Sequence, residues 1–74
     1  SMFVEIEQAK RALIEAERAE LAALKTQGNG IDVNYDQDAY LAAKVAHVEA
    51  SERANIARER FVAAIRSEAA GNAA

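Results

Sequence analysis

The chain has 74 residues, a net charge of -3, a single histidine and no cysteine. A domain this small buries only about 60% of the surface that its unfolded chain exposes, so a large self-contained core is excluded; so are disulfide staples, thiolate metal sites and a histidine cluster for zinc. The acidic balance works against nucleic acid, no apolar run has the length of a membrane span and no signal peptide is recognisable, so the expectation is a cytoplasmic protein without nucleic-acid or membrane partners.

Nineteen alanines, no proline and three glycines favour helix throughout and remove its breakers. The chain reads as all-α, one helical hairpin domain over 2–74, with Ser1 set aside as a residue left by tag cleavage. The first helix is predicted over about 2–26, with Glu5 and Glu7 in its first turn and Lys25 in its last, as the helix dipole favours. Gly28-Asn29-Gly30 suits a C-terminal cap, and a loop follows over about 27–35, in which Ile31 and Tyr35 are expected to fold back towards Leu24 and Leu41. The second helix is predicted over about 36–70, capped by Asp36 or Asn34, with Asp38 in its first turn and Gly71-Asn72 as its stop.

Both helices carry an alanine stripe at heptad spacing. On the second it comprises Tyr40, Ala43, His47, Ala50, Ala54, Ala57, Phe61 and Ala64; on the first, Met2, Glu5, Ala9, Ala12, Ala16, Ala19 and Ala23. One antiparallel register pairs Ala23 with Ala43, Ala16 with Ala50, Ala12 with Ala54 and Ala9 with Ala57, and its midpoint falls in the predicted loop. Small residues on both sides bring the axes to the short end of the usual 8–10 Å separation.

A second stripe on the first helix, Phe3, Ile6, Leu13, Ile14, Leu21 and Leu24, lies to one side of this seam, and Leu41, Val48 and Val62 lie on the same side of the second helix. The opposite side, with Arg11, Arg18, Lys25, Glu49, Arg53 and Arg60, reads as solvated charge. A row of large apolar residues left uncovered marks a protein interface. If two copies of the first helix cross antiparallel, Phe3 faces Leu24, Ile6 faces Leu21, Lys10 faces Glu17 and Leu13 faces Ile14, the self-complementarity that a two-fold axis requires. The hairpin is therefore expected to pair into a dimeric four-helix bundle.

Catalytic and metal sites are not expected. The run from Asp32 to Asp38 resembles the opening of a calcium loop, but Gln37 stands where the loop needs glycine and Ala43 where it needs a bidentate Glu. His47 reads as a seam residue near Lys44 and Glu20, with Ser51 at the wrong offset to serve it as a nucleophile. Glu15, Glu17, Glu20, Glu49, Glu52 and Glu59 lack the Glu-x-x-His of a carboxylate metal centre, and pairs such as Glu7 with Arg11 and Glu49 with Arg53 account for them. Asn55, among the apolar residues of the second helix, either specifies register or lies beyond the interface.

With no catalytic set, no cofactor and no small-molecule substrate, the expected function is that of a non-enzymatic interaction module, a homodimeric adaptor or regulator of the bacterial or phage accessory kind that binds and modulates another protein. The alternative is an oligomerisation or coiled-coil segment of a larger assembly or virion. A DNA-binding regulator using Arg53, Arg58 and Arg60 is a third reading, weakened by Glu52 and Glu59 beside them.

Overall fold

A computed structural model describes residues 2–29 and 36–73. The chain forms two α-helices, α1 (Met2–Asn29) and α2 (Gln37–Ala73), packed along each other as a rod of 60 × 13 × 12 Å. At 1.5 Å per residue the 37 residues of α2 account for about 55 Å of that length. Asp36 opens α2 as its N-cap: its Oδ1 accepts from the amides of Asp38 at 3.0 Å and Ala39 at 3.3 Å, and its carbonyl takes the Tyr40 amide at 2.9 Å.

Both helices outrun the stops expected for them. Helix α1 passes through Gly28 to Asn29, so Lys25 is not in its last turn, and α2 passes through Gly71 to Ala73. No described glycine has a positive φ. The cause at the end of α1 is Gln27, whose side chain is held from two sides by α2 and ties the last turn down. A Cβ added at Gly28 meets nothing within 4 Å. Gly28→Ala should therefore stabilise the hairpin by about 0.5–1 kcal/mol through lost unfolded-state freedom, read as a higher urea midpoint at unchanged slope. The fold-back of Ile31 and Tyr35, the Asn34 cap and most of the calcium-like run lie outside the described residues.

The seam of α2 runs through Tyr40, Ala43, His47, Ala50, Ala54, Ala57, Phe61 and Ala64, all buried or half-buried; Ala54 is 0% exposed, Ala50 3% and Ala57 9%. On α1 the half-buried positions are Ile6, Ala9, Leu13, Ala16, Glu20, Ala23 and Gln27. Ala9, Ala16 and Ala23 keep their expected places, but Ala12 and Ala19 are exposed, and Ile6 and Leu13, expected on the outer face, take part in the seam. Helix α1 is thus rotated from the expected setting by about 50°, half the 100° between successive residues.

The register shifts as well. Gln27 donates from Nε2 to Tyr40 Oη at 3.4 Å, and its Oε1 accepts from His47 Nδ1 at 3.0 Å. Tyr40 and His47 flank Ala43, so Gln27 stands opposite Ala43 where Ala23 was expected, a slide of about one turn. Along the seam this sets Ala23 against His47, Glu20 against Ala50, Ala16 against Ala54, Leu13 against Ala57, Ala9 against Phe61 and Ile6 against Ala64. Nearly every layer now joins one small and one large side chain. Alanine against alanine throughout would leave Ile6 and Leu13 in water, and covering apolar surface yields about 25 cal/mol per Å²; close packing with that gain decides the setting.

Candidate interaction surface

Two flanks remain beside the seam, and they differ in chemistry. One flank is bridged by the sole ion pair among the described residues, Arg58 Nη2 to Glu17 Oε1 at 3.9 Å. Both side chains are about half exposed, at 47% and 48%, so the pair contributes little stability. The pairs expected within helices, Glu7 with Arg11 and Glu49 with Arg53, are not formed.

Glu17 belongs to a heptad row with Phe3, Lys10 and Leu24, beside which run Glu7, Ile14 and Leu21; Arg58 belongs to a row with Lys44, Ser51 and Ile65, beside which run Leu41, Val48, Asn55 and Val62. This flank collects eight of the large apolar side chains that stand in solvent: Phe3 (72% exposed), Leu21 (65%), Ile14, Leu24, Leu41, Val48, Val62 and Ile65. All of the expected interface residues except Ile6 and Leu13 are here, and Ile65, which the heptad stripe places in the Arg58 row, joins them. The signal for Ile65 was available in its seven-residue spacing from Arg58, but it becomes readable only when the seam is set.

The surface has a polar waist. Arg58 Nη1 donates to Asn55 Oδ1 at 2.8 Å while Nη2 points to Glu17, and Lys10 shares the Glu17 row. Asn55 is thus exposed on this flank and held by its own helix. One apolar patch, with Leu21, Leu24, Leu41 and Val48, lies towards the loop end of the rod; a second, with Phe3, Val62 and Ile65, lies towards the other end.

The opposite flank has smaller side chains, alanines and charged groups for the most part, with Ile56 as its one large exposed apolar residue among the described residues. An open groove there is lined by Glu5, Ala9, Ala12, Arg53, Ile56 and Arg60, among others. Arg11, Arg18, Lys25 and Glu49 are exposed, as a solvated surface requires. The three arginines of a nucleic-acid patch are divided: Arg53 and Arg60 line this groove, whereas Arg58 is engaged on the apolar side.

His47 is half-buried at the loop end of the seam, and its described partner is Gln27, not Lys44 or Glu20. An amide oxygen only accepts, so the bonded ring nitrogen carries the hydrogen, and the imidazole serves as a structural donor. Glu20 occupies the neighbouring seam layer, a position that sequence reasoning passed over because the residue is charged. Among the described residues, no group of three or more His, Asp or Glu is placed to hold a metal ion, and no helix is long and apolar enough to cross a membrane. No family model matches the chain, and comparison with curated proteins and with solved structures finds no match either.

Proposed function

We propose that the hairpin is a non-enzymatic protein-interaction module, a homodimeric helical adaptor or regulator that closes into a four-helix bundle and modulates a second protein. The observation that carries this reading is the concentration of eight of the eleven exposed large apolar side chains among the described residues on one flank of the rod, with Val4, Val45 and Ile56 standing singly elsewhere. Monomeric proteins rarely leave a contiguous apolar surface of this size in water, and those that do use it to bind. The remaining exposed surface, the loop end and the helix ends are then available to the modulated protein.

A photo-reactive phenylalanine at Leu21, in cells that naturally make the chain, tests the reading against the same group at Arg18, which is exposed away from the apolar flank. The expected result is an adduct of two chains, at twice the 8.0 kDa of one, from Leu21 and none from Arg18. No adduct from Leu21, or equal adducts from both sites, overturns the reading. An adduct from Leu21 with a different protein and never with a second copy removes the homodimer while keeping the interaction surface.

A further inference from the structure

Deepening the proposed function, and resting on it, we infer that the apolar flank is closed by a second copy related by a two-fold axis across the rod at Ile14, so that the loop-end patch of each hairpin covers the open-end patch of the other. The first support is a pair of symmetry centres that lie at one height. On α1, inversion about the point between Leu13 and Ile14 exchanges Phe3 with Leu24 and Lys10 with Glu17. On α2, inversion about the point between Ile56 and Ala57 exchanges Val48 with Ile65 and Asn55 with Arg58. These exchanges come from separate stretches of sequence, and nothing in either helix alone requires the centres to agree. The seam makes them agree, because the bonds of Gln27 to Tyr40 and His47 set Leu13 opposite Ala57.

The second support is chemical. The four exchanges named match apolar with apolar or polar with polar, and the charged one matches opposite signs, whereas Val62 exchanges with Ser51 and Leu21 with the seam residue Ile6. Glu17, already beside Arg58 of its own chain, receives Lys10 of the second copy, and Arg58, bonded to Asn55 of its own chain, meets Asn55 of the second. The polar waist is thus self-complementary at the axis, while the apolar patches on either side cover each other. A rotation axis running along the rod instead lays α1 of each copy on α2 of the other, so that Lys10 no longer meets Glu17 and the loop-end patch falls upon itself.

Size is the third support. A flank 60 Å long and 13 Å across amounts to an area on the order of 800 Å², what each partner of a standard stable interface buries. The pairing differs from the one expected from α1 alone, since Ile6 and Leu13 are committed to the seam; α2 contributes Val48, Val62 and Ile65 in their place.

The chain has no cysteine, which permits a clean test with single substitutions in the full chain. Phe3 is 72% and Leu24 48% exposed, so neither Phe3→Cys nor Leu24→Cys disturbs the seam, and circular dichroism checks that both remain helical. Under mild oxidation, a mixture of the two variants should give a disulfide-linked two-chain band that neither gives alone. The two copies of residue 3 lie about 30 Å apart along the axis in this arrangement, far beyond disulfide reach. Ile14→Cys, near the axis, should cross-link with itself. A band from Phe3→Cys alone places the copies parallel and overturns the inference while leaving the interaction module standing. Absence of any band from the mixture and from Ile14→Cys overturns it as well, and the Leu21 adducts then decide whether the module reading survives.

Discussion

Ala54→Leu should destabilise the hairpin by about 1–3 kcal/mol, the cost of forcing extra methylenes into a filled layer. Ala54 is 0% exposed, and the register set by the Gln27 bonds puts it opposite Ala16, the one layer where both helices present only a methyl group. A leucine has no free volume to enter and must push α1 away, which also loosens the Leu13 and Glu20 layers on either side. For a domain of this length, each kcal/mol lowers the midpoint of thermal unfolding by about 4–8 °C. Ala12→Leu is the paired measurement, because Ala12 is exposed in the groove beside the seam, where substitutions stay within about 0.5 kcal/mol of neutral. Equal losses in both variants would put Ala12 in the seam and restore the register read from the alanine stripes.

That register shows where the sequence was legible. The seam of α2 could be read residue by residue because its alternative faces are plainly different: Tyr40, His47 and Phe61 interleave with alanines, and the flanking rows are mostly charged or β-branched. Asp36 as N-cap was legible for a similar reason, since an acidic oxygen immediately before a helical run satisfies free amides that nothing else reaches. Helix α1 offers no such contrast. Ala9, Ala16 and Ala23 combine as well with Glu5, Ala12 and Ala19 as with Ile6, Leu13 and Glu20, and only the partner helix distinguishes the two settings. Matching alanine with alanine followed likeness, whereas close packing follows complementarity of size. A glutamate at position 20 and a glutamine at position 27 also concealed the seam, although both are half-buried in it and the amide of Gln27 bonds to α2. Gly28 misled for a related reason: glycine permits a helix to end, but Gln27, bonded on two sides, keeps the helix going.

The apolar flank was legible in outline, because Phe3, Ile14, Leu21 and Leu24 share one side of α1 under either setting. Its waist was not. The contact of Glu17 with Arg58 joins residues far apart in sequence and depends on the final register, and Asn55 could be assigned to the surface only once its bond to Arg58 was seen.

Leu24→Glu should separate the two chains. In the proposed pairing Leu24 covers Phe3 of the second copy, and the two-fold axis makes this contact twice, so one substitution removes two buried leucines. At about 1.5–3 kcal/mol for each, the loss is about 3–6 kcal/mol, which weakens association by roughly two to four orders of magnitude. The hairpin itself should fold as before, because Leu24 is 48% exposed and outside the seam. Ala22→Glu supplies the control: it makes the same change in charge at an exposed position away from the apolar flank and should leave association unchanged. Sedimentation equilibrium at micromolar concentration, on the unaltered chain and on Leu24→Glu, reads the outcome directly as mass. The unaltered chain should sediment at twice 8.0 kDa and Leu24→Glu at 8.0 kDa with its helical content intact. A folded, unaltered chain at 8.0 kDa, or a Leu24→Glu chain that keeps the two-chain mass, would contradict closure of the apolar flank by a second copy.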